Sequence, residues 1–322
     1  MRYLRHLRII SLLTLSAVFM PLHGQSNPHE KLAAAYTLQR EGDPEEPANE
    51  AQRLIDSGAL NALDNGRAWI LMGLCREEQG KYSEAQQAYE TAVSMLRPDR
   101  QAQRDYASAM DDLGHLFRSM GRLEESVEMR KKAIAAFQEI GDRTGLARAY
   151  FNMAALDLDR RKMGDCKKHI AMALDEIAHG ANLDEDDLAA GYSIRAQLAL
   201  HQRDFKAGVD DDEKALTLWQ RAYGENHRAT GWGYVLLSWA YEETGRSEEA
   251  LTRVREGLSI LERTVGTKNP TYLGAEVIYA DLLDRAGDRA QASEIRTAAN
   301  EALQDLNRRQ CAGCSVSALS FR

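Results

Sequence analysis

At 322 residues, with 44% hydrophobic and 28% charged side chains, the chain has a globular composition and room for one large domain or two smaller ones. Only six prolines and six phenylalanines, beside abundant Ala, Leu, Glu and Arg, favour helix over sheet. A formal net charge of −8 speaks against nucleic acid as a partner.

In chain order, residues 1–24 read as a secretory signal peptide. Arg2, Arg5 and Arg8 precede an apolar run over 9–20, and Pro21-Leu22-His23-Gly24 then leads into a polar segment. That run is shorter than the roughly 20 apolar residues that span a bilayer, and an uncleaved anchor is the alternative reading. Cleavage after Gly24 removes three arginines and no acid, taking the net charge from −8 to −11. No later apolar stretch is long enough to cross a membrane, so the mature chain is expected to have no span. It is expected to be exported, periplasmic or secreted, from a bacterial cell.

Residues 25–65 follow, where 30–40 and 45–55 flank Gly42-Asp43-Pro44 as a degenerate helical hairpin or a plain helical cap. The stretch 68–93 then reads AWILMGLCREEQGKYSEAQQAYETAV. Its first half is apolar nearly all round, as in a helix covered on more than one side. After Gly80, Tyr82, Ala85, Tyr89 and Ala92 form one stripe at helical spacing. Gly73 inside the first helix costs about 1 kcal/mol against alanine, which calls for a packing reason.

This hairpin recurs. Its joint falls at Gly80, Gly121, Arg161, Arg203, Gly245 and Gly287, at intervals of 41, 40, 42, 42 and 42 residues. A small residue seven places earlier recurs as Gly73, Gly114, Ala154, Ala196, Ser238 and Ala280. Another, twelve places after the joint, recurs as Ala92, Ala133, Ala173, Ala215, Gly257 and Ala299. Such columns let two helix backbones approach closely and identify one unit stacked on itself.

The residues resemble tetratricopeptide repeats, with their W-x2-L-G-x2-Y, A-x3-F and P pattern. The first clear unit carries Trp69, Met72, Gly73, Ala85, Tyr89 and Pro98, with Arg76 where tyrosine is usual; the fifth carries Tyr234, Leu237, Ser238, Tyr241, Ala250 and Val254. In the second unit Arg130 replaces the aromatic. The near-42-residue length resembles the long hairpins of kinesin light chains, and Arg221-Ala222-Tyr223-Gly224-Glu225-Asn226-His227 resembles their joining loop. The resemblance implies an all-α, right-handed α-solenoid over 66–307, with units starting near 66, 107, 147, 189, 231 and 273. A tail, 308–322, follows.

It also implies a concave groove on one side of each first helix, where extended peptides lie. In the fifth unit that stripe is Trp232, Val235, Trp239 and Glu242, about 200° from the hairpin-facing stripe. The two tryptophans would serve as apolar anchors for a partner, or else pack against the adjoining unit. The same stripe elsewhere gives Arg67, Ile70 and Leu74; Asp111, His115 and Arg118; Arg148, Phe151 and, one place on, Asn152; Ser193 and Gln197; and Val277 and Asp281. In light-chain-like repeats an asparagine here grips the ligand backbone, and Asn152 alone is so placed. Arg148 and Asn152 are too few for the carboxylate clamp of chaperone-binding relatives.

Asp184-Glu185-Asp186-Asp187 sits where a helix should start, and Asp210-Asp211-Asp212-Glu213 is expected on a solvated outer face; neither has calcium-loop spacing. Cys75 and Cys166 read as buried small residues, and Cys311 with Cys314 as a local disulfide in an oxidising compartment. No metal site, cofactor motif or catalytic constellation stands out. The expected function is therefore non-enzymatic: an exported scaffold binding a protein or peptide partner. A self-associating spacer in an envelope complex is one alternative, and an enzyme with an unrecognised site is the other.

Overall fold

The computed structural model describes residues 27–42 and 44–310, and the described residues form fourteen α-helices and no strand. They pair as seven antiparallel hairpins: α1 (Pro28–Glu41) with α2 (Glu45–Ser57), α3 (Ala62–Glu78) with α4 (Tyr82–Leu96), α5 (Gln103–Ser119) with α6 (Leu123–Ile140), and α7 (Arg143–Asp159) with α8 (Met163–Ala178). The series continues with α9 (Glu185–His201) and α10 (Phe205–Tyr223), α11 (Arg228–Glu243) and α12 (Ser247–Thr264), and α13 (Pro270–Arg285) and α14 (Arg289–Gln310). A 3-10 turn, Arg100–Ala102, precedes α5.

Local chemistry sets the boundaries. Most first helices start on a polar cap: Asn27, Asn61, Asp142, Asp184, His227 and Asn269 each accept a backbone N–H of the first turn of α1, α3, α7, α9, α11 and α13. Pro28 and Pro270 follow two of these caps at the first helical position, where a missing N–H costs nothing. First helices end on a left-handed residue. Gly80, Gly121, Gly245 and Gly287 have φ of 71°, 71°, 77° and 96°, and Arg161 and Arg203 take the same turn at 56° and 62°. At all six joints the next amide reaches back five residues, as Lys81 N–H does to the Arg76 carbonyl at 2.8 Å. The two arginines hold this conformation at a cost of about 1–2 kcal/mol each relative to right-handed backbone.

Within a hairpin, the small columns are the contact. A Cβ at Gly73 would lie 2.5 Å from the Tyr89 ring, and one at Gly257 would lie 2.6 Å from the Gly231 carbonyl oxygen. Ala154, Ala196, Ser238 and Ala280 on the first helices, and Ala92, Ala133, Ala173 and Ala299 on the second, are each 0% exposed. Cys75 and Cys166 are both buried, Cys166 in the slot that Ala85 and Ala250 fill elsewhere. Burial, with Asp157 adding to it, pushes the Cys166 thiol up to about 12.

The residue nine places after each of the first five joints fills the space over the small one: Tyr89, Arg130, Ile170, Asp212 and Val254, all buried. This column corrects one expectation. Asp211 and Asp212 are 5% and 2% exposed rather than solvated, because the acidic run crosses the face of α10 that packs on α9. Arg195 holds Asp211 through two contacts of 2.6 Å. Asp212 Oδ1 has no hydrogen-bond partner in the protein, and burial, reinforced by Asp211, pushes its carboxyl well up.

Each helix packs on its chain neighbours, and successive first helices α1, α3, α5, α7, α9, α11 and α13 also pack on one another. The result is a solenoid with the odd-numbered helices side by side. It then meets itself. A Cβ on Gly42, the joint of the first hairpin, would lie 3.1 Å from the His227 ring ahead of α11, and Arg40 pairs with Asp184 at 2.9 Å. A Cβ on Gly80, the joint of the second, would lie 3.0 Å from Pro270 at the start of α13. Between them, Glu78 is the common anchor: its carboxylate takes Arg228 and Gln39, and its backbone carbonyl accepts Asn269 Nδ2 at 2.7 Å. Leu273 and Val277 of the last hairpin belong to the same core cluster as Ile70 and Tyr89 of the second. Each joint thus rests on the loop that opens the hairpin five further along.

An unpartnered buried carboxyl has a definite pH signature. The unfolded chain ionises Asp212 near the ordinary value for aspartate, whereas the folded chain holds the proton to higher pH. Its penalty on the fold therefore grows as pH rises above about 4. Asp212→Val, which copies Val254, is expected to raise unfolding free energy at pH 8 by about 1–3 kcal/mol and by much less at pH 4. Urea unfolding of both proteins at the two pH values checks this, and an equal or negative change at pH 8 counts against it.

Candidate functional site

A groove of about 570 Å³ opens on the inner face of the solenoid, and every residue that lines it comes from α1, α3, α5 or α7. Leu32, Ala33 and Tyr36 form one wall, Ile70 and Leu74 an apolar strip, and Asp64, Arg67, Asp105, Ser108, Asp111, Asp112, Arg148 and Asn152 the polar remainder. Successive units bring these side chains together because residues about 40 apart stand at the same height on neighbouring first helices.

Most of the polar groups bind one another across that gap. Arg67 bridges Asp64 on its own helix at 3.3 Å and Asp105 on α5 at 3.0 Å. Tyr36 donates its hydroxyl to the Arg67 carbonyl at 2.7 Å, tying α1 to α3. Arg148 reaches Ser108 at 3.3 Å, and Asn152 Nδ2 donates to Asp111 Oδ2 at 2.7 Å. The other Asp111 oxygen accepts Arg130 Nη1 at 2.9 Å, from a guanidinium 1% exposed on its side chain. Arg130 therefore does two things in the aromatic slot of its hairpin. Its stem fills the space over Gly114, where a Cβ would lie 2.9 Å from Cγ, and its head carries charge under the groove.

Asp112 differs from these. Among the described residues it has neither a hydrogen bond nor an ion pair, although it lines the groove. Burial pushes its carboxyl up to about 7; Asp111 and Glu77 add to this, and Arg148 and His115 oppose it. Asp187, at the edge near Arg148, is pushed up to about 6 by burial.

Of the sequence-predicted stripe, Arg67, Ile70, Leu74, Asp111, Arg148 and Asn152 line this groove. His115 and Arg118 lie beyond it and link helices instead, His115 to Glu77 at 2.8 Å and Arg118 to Asp159 at 2.5 Å. Phe151, Ser193, Val235 and Val277 are buried at 5%, 6%, 0% and 3% exposure, which corrects their assignment to an open face. Phe151 faces the seam to the next first helix, where a Cβ on Gly191 of α9 would lie 2.8 Å from its ring, whereas Val235 faces its own hairpin, where a Cβ on Gly257 of α12 would lie 2.8 Å from it. Trp232 and Trp239 are half-buried: Trp232 packs into the clusters on both sides of α11, and Trp239 lies under the Arg285 guanidinium at 4.6 Å. Asp281 pairs with Arg296 of α14 at 3.0 Å, while Gln197 and Glu242 lie outside the groove lining. Cys311 and Cys314 lie outside the described residues.

The stripe missed Asp64, Asp105 and Asp112 for two reasons. Asp64 and Asp105 stand one turn earlier, three places before Arg67 and Ser108. Asp112 needs the one-place displacement that already selected Asn152.

Residues 66–95 and 187–263 match family models described as tetratricopeptide repeat. No curated protein matches the chain by sequence. Several solved structures are similar in fold. NprR in complex with its cognate peptide NprX is 12% identical, with a TM-score of 0.64 over 88% of this chain and 78% of that one. Rap protein complexed with Competence and Sporulation Factor is 13% identical, with 0.57 over 88% and 91%. The Cut9-Hcn1 hetero-tetramer is 13% identical, with 0.59 over 91% and 50%.

The buried pair under the groove sets a sharp expectation. Asp111→Ala strands the Arg130 charge and is expected to cost about 3–5 kcal/mol, whereas Asp111→Leu with Arg130→Met is expected to restore most of the loss. Chemical denaturation of the three proteins measures it; a single variant within about 1 kcal/mol of the parent refutes the pair's role.

Proposed function

We propose that the chain, an all-α solenoid with two stretches that match tetratricopeptide-repeat models, is a non-catalytic scaffold whose inner groove binds a segment of another polypeptide. The observation that carries this reading is the groove itself. It is built from four consecutive first helices, and its apolar strip of Ile70 and Leu74 is flanked by polar side chains. Such a mixture suits a peptide, whose side chains need apolar contact and whose backbone needs hydrogen-bond partners. Support also comes from the similar folds of NprR and Rap, whose structures hold a peptide and Competence and Sporulation Factor respectively. Rigidity comes from neighbour-to-neighbour burial and from the contacts of the first two hairpins with the last two, so the groove is formed before the partner arrives.

We also propose that the protein acts outside the cytoplasm, on the strength of Arg2, Arg5 and Arg8 ahead of the apolar run 9–20.

Ala33, exposed on α1 and lining the groove, offers a direct test. Ala33→Trp places a large ring in the groove without touching the core. Partners captured by the full-length chain should fall by about tenfold or more with this variant, and be kept by Lys132→Trp on the exposed side of α6. Helicity by circular dichroism should be unchanged in both. Undiminished capture of every partner by Ala33→Trp would remove the groove from the function. Export has its own test: residues 1–30 fused ahead of leaderless alkaline phosphatase should yield active enzyme in a bacterial host, and an inactive cytoplasmic fusion would refute it.

A further inference from the structure

Resting on the groove reading above, we infer that the groove selects a segment bearing a cationic side chain, arginine or lysine, whose head group pairs with Asp112.

The charges in and under the groove do not cancel, and the excess falls on one residue. Asp64 and Asp105 share Arg67, at 3.3 and 3.0 Å, and Asp64 also takes His29 at 3.2 Å. Asp111 is occupied on both oxygens, by Arg130 at 2.9 Å and Asn152 at 2.7 Å. Arg148, the cation that lowers Asp112 most, hydrogen-bonds Ser108 at 3.3 Å and makes no hydrogen bond to Asp112. That leaves the Asp112 carboxyl lining the groove with no donor from the protein among the described residues. Carboxylates are acceptors only, so one that lines a groove with no donor from the protein is free to take a donor from a ligand.

The chemistry of that donor is restricted. An anionic side chain meets the field of Asp64, Asp105, Asp111 and Asp112 together. A metal ion is disfavoured as well, since no group of three or more ligating side chains exists among the described residues. A guanidinium or ammonium on a long apolar stem fits both features of the groove: the stem lies along Ile70 and Leu74, and the head reaches the acid. Burial holds Asp112 up to about 7, with Asp111 and Glu77 raising it and Arg148 and His115 lowering it. A cation at this place would complete the pairing that the surrounding groups leave unmet.

The test uses the full-length chain and fluorescein-labelled heptapeptide pools with randomised flanks and a central arginine, citrulline or glutamate. Anisotropy titration at low ionic strength is expected to show the arginine pool binding about tenfold tighter than the citrulline pool, with the glutamate pool weakest. Asp112→Asn should erase the arginine preference, Asp165→Asn on the exposed side of α8 should keep it, and Ala33→Trp should weaken all pools. Equal affinity of the wild-type protein for arginine and citrulline pools, both lost in Ala33→Trp, overturns the cationic pocket and leaves the groove reading in place. Indifference of every pool to Ala33→Trp overturns both. The arginine-against-citrulline comparison on the wild-type protein needs no variant to fold.

Discussion

The close approach of two helix backbones inside each hairpin is the contact on which everything else rests. It is made where a glycine, alanine or serine on the first helix faces the second, as Gly73 faces the Tyr89 ring and Gly257 faces the Gly231 carbonyl. A hairpin held so tightly leaves its first helix with apolar surface on both flanks, and that surface is satisfied only by other first helices. Burial of Phe151 against α9 follows from the same need. Stacking is the only arrangement that covers the faces, and it produces the inner wall as a by-product.

Two hairpins put charge where the others put an aromatic or aliphatic group, with different outcomes. Arg130 is long enough to leave its stem over Gly114 and carry its head to Asp111, so its hairpin gains an ion pair that also fastens Asn152 of the next. Asp212, at the equivalent place, is too short to reach a partner with its Oδ1, and burial pushes its carboxyl well up. The first substitution therefore extends into the groove, whereas the second is a cost borne by the core. The physical difference is side-chain reach.

Curvature gives the groove its limits. The joints at Gly42 and Gly80 rest on the loops ahead of α11 and α13, and Glu78 gathers Gln39, Arg228 and Asn269 around one short stretch of backbone. Burial of the Glu78 carboxyl, even against the pull of Arg228, raises it above the ordinary range, as expected for an acid enclosed between two parts of the solenoid. Trp232 and Trp239 are taken up by packing along the solenoid, and the groove that is present lies over α1 to α7.

The repeating columns made the hairpin, its joint and its stacking legible from residues alone. Periodicity reports local geometry, and local geometry recurs: even Arg161 and Arg203, at the joint positions, adopt the same left-handed turn as the glycines. The inner stripe was legible only in part, since Arg67, Asp111, Arg148 and Asn152 line the groove while Phe151 is buried in the seam and Val235 against α12. A helical wheel distinguishes inner from outer but not groove from seam, because that depends on how closely the adjoining helix approaches. Nor could periodicity foresee that Asp112 lacks a partner while Asp111 has two, or that Gly80 meets Pro270 some five hairpins away. Those relations join residues with no fixed spacing, and only the superhelical path of the chain brings them together.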